Sequence, residues 1–236
     1  MTPSAVLLDF GGVLADAPFR ADPSELVLRL YNLTDGALTP GQIQRSLADG
    51  AAAYARWRDE DHPDELSHLE VWNRFVIADW PRLAQARVRG SVTKLSYDWA
   101  WRSGWTLRPG IAEFLTTATE RGIPLAVVSN TLCGAAHRDY LTQAGVGHLF
   151  AVQIYSDEAG VRKPNPQMIW NATDALGIAP AACWFVGDSR RRDIACARRA
   201  DIGTAILMPS SRDDTGGDQP EPDQVVTDGH GLQELL

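Results

Sequence analysis

The chain has 236 residues, long enough for one α/β domain with a large insertion or for two modest domains, and it can bury a full core without covalent staples. Asp and Glu (30) outnumber Lys and Arg (22), giving a formal charge of −8, and no lysine-rich block or basic stripe occurs, which argues against nucleic acid as the main partner. Cys133, Cys183 and Cys196 are too few for a disulfide framework, no stretch reaches membrane-spanning length, and Met1 to Ser4 lacks a basic leader, so a soluble, cytoplasmic, unexported protein is expected.

Ala5 to Leu8 is a short apolar run that reads as a buried strand, and it delivers Asp9 just ahead of Gly11 and Gly12. The next comparable element starts roughly 90 residues later, far beyond an ordinary connection, so a folded insertion is expected there. Its segments carry three-to-four-residue apolar spacing over Pro23 to Leu33, Pro40 to Arg58, Asp64 to Asp79 and Arg82 to Trp101, with Asp22-Pro23 and Thr39-Pro40 as helix starts. Trp57, Trp72 and Trp80 read as core packing of a small bundle. Trp99, Trp101 and Trp105, where the insertion returns, read either as packing or as a pocket wall.

From Ile111 onward helices and strands alternate. The predicted helices are Ile111 to Glu120, Ala135 to Gln143, Pro166 to Ala175 and Asp193 to Ala200, and the predicted strands are Leu125 to Val128, Phe150 to Ile154, Trp184 to Val186 and Thr204 to Leu207. Gly122, Gly145, Gly177 and Gly203 stand where C-cap glycines belong. This alternation implies an α/β fold with a doubly wound parallel sheet. Arg190-Arg191-Arg192 reads as a solvated loop or first helical turn, or else as the mouth of an anion site. Pro209 to Gln224 reads as an exposed loop, followed by an edge strand at Val225-Val226 and a short helix over Leu232 to Leu236.

Four segments place polar groups at the C-terminal ends of predicted strands, the edge on which such sheets bind ligands. They are Asp9; Val127-Val128-Ser129-Asn130-Thr131; Gly160-Val161-Arg162-Lys163-Pro164-Asn165-Pro166; and Phe185-Val186-Gly187-Asp188-Ser189, with Asp193 following. In this order they resemble the four motifs of the haloacid dehalogenase (HAD) superfamily, over essentially the whole chain. The resemblance implies a Rossmann-like core of residues 1–17 and 106–236 and an inserted helical cap domain of residues 18–105, in the position of a type 1 cap. It further implies a Mg²⁺-dependent phosphomonoester hydrolase acting on a small phosphorylated metabolite, with neither nucleic acid nor membrane as partner.

Carried onto this chain, the resemblance makes Asp9 the nucleophile and assigns Mg²⁺ to Asp9, the backbone carbonyl of Gly11, and Asp188, with Asp193 as a further ligand or anchor. Ser129 would donate to a phosphoryl oxygen and Lys163 would bridge nucleophile and phosphate. Gly12 and Asn130 would supply backbone amides to the anion cradle, and Asp16 stands at the entry to the insertion. The chemistry is coherent, because a carboxylate that attacks phosphorus splits hydrolysis into two displacements, while a cation and fixed donors offset the charge.

Gly11 departs from the pattern, since phosphatases of this superfamily usually keep an aspartate there as general acid and base. Such a group is worth roughly 10²–10⁴-fold in rate. The acid could come instead from Asp16, His62, His68 or His137, or the leaving group could depart unprotonated. A ligand-binding or regulatory protein that retains the cradle but has lost turnover is an alternative. A dehalogenase-like hydrolase is another, and Asp188, placed for a cation that halide displacement does not use, argues against it.

Overall fold

The computed structural model describes residues 2–17, 22–59, 64–210 and 219–236. The strands are β1 (Ala5–Leu8), β2 (Ala15–Asp16), β3 (Thr106–Leu107), β4 (Leu125–Ser129), β5 (Phe150–Tyr155), β6 (Cys183–Gly187), β7 (Thr204–Leu207) and β8 (Gln224–Val225). All but β2 and β3 form a 6-stranded sheet in the order β5-β4-β1-β6-β7-β8, and every pairing in it is parallel. The chain starts in the middle at β1, extends to β4 and β5 on one side, then crosses to β6, β7 and β8. The order reverses at β1, so a crevice opens at its carboxyl end.

Because side chains alternate along a strand, both faces of this sheet are apolar. Val6, Leu8, Val127, Val186 and Ile206 belong to one buried cluster. Ala5, Leu7, Ala126, Val128, Phe185 and Leu207 belong to a second, on the other face.

Between β2 and β3 the insertion is helical: α1 (Ser24–Leu33), α2 (Pro40–Asp59), α3 (His68–Val71), α4 (Arg82–Arg89) and α5 (Val92–Ala100). Leu30, Ile43, Trp72, Ile77, Trp80 and Leu95 fill its core, and Trp57 packs with Tyr54 and Val71, so these three tryptophans are packing residues as expected. The single helix expected over Arg82 to Trp101 is instead α4 and α5, separated at Gly90 and Ser91. Glycine's poor helix propensity makes that the natural place to break. The helix expected from Asp64 begins only at His68, where Ser67 and Glu70 form a capping box, and continues as a π-helical turn over Trp72–Val76. Asp64 forms a bridge to Val161 and Glu65 N–H donates to Gly160 O at 3.0 Å, so the start of that segment is used to join the insertion to the core.

The remaining helices are α6 (Ile111–Glu120), α7 (Gly134–Gln143), α8 (Ser156–Ala159), α9 (Gln167–Leu176), α10 (Ala195–Arg199) and α11 (Gly229–Glu234). Phe114 and Leu115 of α6, Tyr140 and Leu141 of α7 and Leu232 of α11 cover one sheet face. Met168 and Ile169 of α9 and Cys196 and Ala197 of α10 cover the other. The helix expected from Asp193 is entered through a π-helical turn at Arg190–Ile194, which includes the arginine cluster. Gly122, Gly145 and Gly177 have the left-handed φ of C-cap glycines, whereas near α10 that conformation falls on Asp201 (φ 56) rather than Gly203. A Cβ on Gly203 would stand 2.1 Å from Ala181 O, so close approach explains that glycine. All three cysteines are free and buried. Among the described residues no helix is long and apolar enough to cross a membrane.

Candidate active site

Asp9 follows β1 at the sheet's carboxyl edge, its N–H held by Val186 O at 2.9 Å and its residue surface only 8% exposed. The chain then folds back on itself. Phe10 O accepts the Leu14 and Ala15 N–H groups at 3.0 and 2.9 Å, and Gly12 N–H donates to Ala15 O at 3.0 Å. Gly12 has φ +85°, and a Cβ there would stand 2.2 Å from Asp188 Oδ2. Both the turn and the approach of Asp188 therefore require glycine. Gly12→Ala should cost about 1–3 kcal/mol of stability and weaken cation binding at Asp188. Denaturant unfolding and calorimetric titration check this, and unchanged values for both would contradict it.

Lys163 is the hub of the site. Its Nζ lies 2.8 Å from Asp9 Oδ1, 2.6 Å from Asp193 Oδ1 and 2.8 Å from Val128 O. Burial opposes its charge, but Asp193 and Asp9 outweigh that effect and hold its pKa above the usual lysine value. The Asn130 side chain clamps the Lys163 backbone from both sides: Oδ1 accepts Lys163 N–H at 2.8 Å and Nδ2 donates to Lys163 O at 2.9 Å. Ser129, the last residue of β4, is buried beside this clamp.

Asp188 follows β6. Asp193 Oδ2 accepts the Asp188 and Ser189 N–H groups at 3.1 and 3.0 Å, and the Ser210 hydroxyl donates to Asp188 Oδ2 at 2.6 Å. Burial first, then the charges of Asp193 and Asp9, push the Asp188 carboxyl up to about 7. Carboxylate oxygens of Asp9, Asp188 and Asp193 all lie within 4.8 Å of one another, and all three residues are buried. Three carboxylates against one ammonium leave an excess of negative charge, and an all-oxygen donor set of this kind fits a hard divalent cation such as Mg²⁺.

With that geometry in view, the match to a known family is decisive: the profile described as haloacid dehalogenase-like hydrolase fits residues 3–201. The chain belongs to this family. Glyceraldehyde 3-phosphate phosphatase of Methanopyrus kandleri is 31% identical to it over 193 residues, 81% of this chain and 75% of that protein. Phosphoserine phosphatase of Thermus thermophilus is 35% identical over 101 residues, 43% of this chain and 40% of that one, so this likeness covers less than half of either. The crystal structure of 2-haloacid dehalogenase from Pseudomonas syringae pv. Tomato superposes with a TM-score of 0.68 at 18% identity, covering 99% of this chain and 98% of that one. At such identity the likeness concerns the fold. The protein is a phosphatase-like hydrolase of the HAD superfamily, with a Rossmann-like core and a helical insertion.

In this HAD hydrolase the candidate proton donors lie in different settings. Asp16 is on β2, its carboxylate 3.5 Å from Arg108 Nε and its side chain 49% exposed. Arg108 also donates to Gly12 O, and to Thr227 O at 2.8 Å, so it fastens the β2–β3 pair to the turn after Asp9. His137 stacks on Phe10 with ring centroids 3.8 Å apart and presents Nε2 to Thr131 Oγ1 at 3.2 Å. His68 meets the core at Leu132 O, 2.8 Å from its Nε2. His62 lies outside the described residues. Trp105 packs edge-on against Phe10 at 5.2 Å and Trp101 packs against Trp105, bracing the turn after Asp9, while Trp99 packs against Trp72 inside the insertion.

Several site residues of this hydrolase escaped the sequence reading. Ser210 is the second residue of what reads as an exposed loop, and its one signal is its position just past β7 on the same sheet edge as Asp9 and Asp188. Arg108 reaches Gly12 across the insertion and carries no local signal. Glu65 is a third: it accepts from Tyr54 OH at 3.0 Å and from Ser156 Oγ at 2.7 Å, and lies 3.7 Å from Arg162 Nη1. That buried network joins the insertion to the loops after β4 and β5.

Proposed function

We propose that the protein is a Mg²⁺-dependent phosphomonoester hydrolase acting on a small phosphorylated metabolite through an aspartyl phosphate on Asp9. In this reading residues 1–17 and 106–236 are the catalytic core and residues 18–105 are a cap that encloses the substrate. The observation that carries it is the convergence of Asp9, Lys163 and the Asp188–Asp193 pair, from three segments of the chain, in one buried cluster at the carboxyl edge of the sheet. Support comes also from the relatives above, both named as phosphatases of small metabolites.

The residues divide the work as follows. A carboxylate oxygen of Asp9 attacks phosphorus, and the bond to the leaving oxygen breaks with its electron pair departing on that oxygen. Lys163, held by the Asn130 clamp, pairs with Asp9 and adds positive charge beside the phosphoryl oxygens. Ser129 donates its hydroxyl to one of those oxygens, and Gly12 keeps the approach free of side chains. Held by Asp9, Asp188, Asp193 and the Gly11 carbonyl, Mg²⁺ would offset negative charge on the transferring group. Water then attacks phosphorus of the aspartyl phosphate, releasing phosphate and restoring the carboxylate.

Gly11 lacks the left-handed φ that Gly12 has, so its backbone conformation suits an L-residue. Gly11→Asp should therefore supply the missing acid and speed cleavage of alkyl phosphates by up to roughly 10²–10⁴-fold, and aryl phosphates much less. Equal or slower rates for both classes would sink that reading.

The raised pKa of Asp188 predicts a pH effect with a definite sign. The carboxyl rises from an ordinary 3.8 to about 7, so the stability it contributes to the metal-free fold is full below 3.8 and is lost as pH rises through about 7. A cation must displace the same proton, so Mg²⁺ affinity should climb by up to about tenfold per pH unit until roughly neutral pH and then level off. Calorimetric titration across that range checks this. A flat profile in the wild type, or an unaltered slope in Asp188→Asn, would contradict it.

Phosphate release from p-nitrophenyl phosphate and from sugar, nucleotide and acid phosphates, with Mg²⁺ or with chelator, tests the function itself. Turnover that requires Mg²⁺ is the expected result. Gly11 favours one other reading, a phosphate-binding protein without turnover, and phosphate binding with no release across the whole panel would establish that instead.

A further inference from the structure

The described residues contain a second group of ligating side chains, away from the carboxylate cluster and built from different atoms. His68, Cys133 and Asp157 each offer one ligand atom within 4.8 Å of the others. His68 Nε2 and Asp157 Oδ2 are 3.4 Å apart. We propose that these three residues form a binding site for a borderline-soft divalent ion of the zinc class, clamping the helical insertion onto the core.

The donor set decides the class of ion. One thiolate, one imidazole and one carboxylate suit Zn²⁺ or Co²⁺ and do not suit Mg²⁺, which takes oxygen ligands. Zinc bonds of about 2.0–2.3 Å place tetrahedral ligand atoms roughly 3.3–3.8 Å apart. The His68 to Asp157 separation already has that length, and a contraction of about 1 Å brings any wider edge to it. Binding exchanges the hydrogen bond from His68 Nε2 to Leu132 O for a metal bond and expels the protons of imidazole and thiol.

The three ligands are held by structure that ordinary packing explains only in part. His68 is the first residue of α3, fixed by the Ser67 and Glu70 capping box. Asp157 is fixed by Gly134 N–H, which lies 3.0 Å from each of its carboxylate oxygens. Gly134 packs so closely on Tyr155 that a Cβ would stand 2.6 Å from that side chain, and this approach brings Cys133 beside Asp157. Cys133 also lines a cavity of about 900 Å³ between the insertion and the core, shared with Arg29, Lys94 and Tyr97. Of the three ligands it is Cys133 that borders this cavity, so an ion would approach from the thiol side.

The site joins the loop that follows Ser129 to a helix of the insertion, so an ion bound there fastens the covering segment to the catalytic loops. This proposal stands independently of the phosphatase reading. It is tested on the full chain, stripped of metal by chelator and then saturated with Mg²⁺ so that the carboxylate cluster is occupied. Titration with Co²⁺ should give one equivalent of thiolate-to-cobalt charge-transfer absorption, displaced by Zn²⁺. The band should vanish in Cys133→Ser, require at least tenfold more metal in His68→Gln and Asp157→Asn, and persist in Asp188→Asn. X-ray absorption of the zinc-loaded wild type, which needs no variant to fold, should show one sulfur at about 2.3 Å. A band that survives in Cys133→Ser, or a zinc shell with no sulfur, overturns the proposal.

Discussion

Asp9→Asn should abolish turnover: phosphate release should fall by on the order of 10⁴-fold or more, because the amide is no nucleophile and the remaining groups only bind and polarise the substrate. The substitution is nearly isosteric and removes one negative charge from a cluster that already holds an excess of carboxylates around Lys163. The metal-free fold should therefore be no less stable than the wild type, while Mg²⁺ binding weakens. That combination separates loss of chemistry from loss of structure. Release within tenfold of the wild type would mean that water, or another group, attacks phosphorus directly.

Lys163→Met has the largest expected effect on stability. The ammonium is buried and stands within 2.8 Å of Asp9 and 2.6 Å of Asp193, so its removal leaves a group of carboxylates without their internal cation. Breaking a buried ion pair from one side costs about 3–5 kcal/mol. Methionine fills much of the space and leaves the charge imbalance. The loss should be greatest at and above neutral pH, where Asp188 is also ionised, and smaller in acid. Mg²⁺ should recover part of it by binding the native state. Turnover should fall by roughly 10²–10³-fold, as when one fixed donor to the reacting group is lost. Denaturant unfolding with and without Mg²⁺ measures the effect, and a metal-free variant as stable as the wild type at neutral pH would contradict it.

What the sequence made legible is what local physics determines. The bounds of β1, α6 and β7 coincide with the predicted ones, because each is a compact apolar pattern with clear ends. The 2-residue strands β2 and β3 were not legible, since each exists only through the other and lies at an opposite end of the insertion. The segment before α3 has helical spacing, yet its first residues pair with the core around Val161, a contact with no local trace.

The site divides in the same way. Asp9 and Asp188 could be named because each follows a strand in a recognisable motif and β1 and β6 are neighbours in the sheet, whereas Lys163, recognisable by its own motif, arrives from the loop after β5 and α8. For Asn130 the sequence suggested a backbone amide facing phosphate, and the structure adds a side chain that holds the Lys163 backbone. Ser210, Arg108 and Glu65 act across long chain separations, through one hydroxyl, one guanidinium and one carboxylate that resemble any surface residue in sequence.

The central claim is that Asp9 carries the phosphoryl group. Because Gly11 supplies no base for the attacking water, hydrolysis of the aspartyl phosphate should be the slow step and the phosphoenzyme should accumulate. Acid-quenched protein mixed with p-nitrophenyl phosphate and Mg²⁺, analysed by mass spectrometry, tests this directly. The account predicts one phosphoryl group on the peptide containing Asp9, formed together with a burst of p-nitrophenol and absent from Asp9→Asn. Steady phosphate release with no burst and no adduct on that peptide would contradict it.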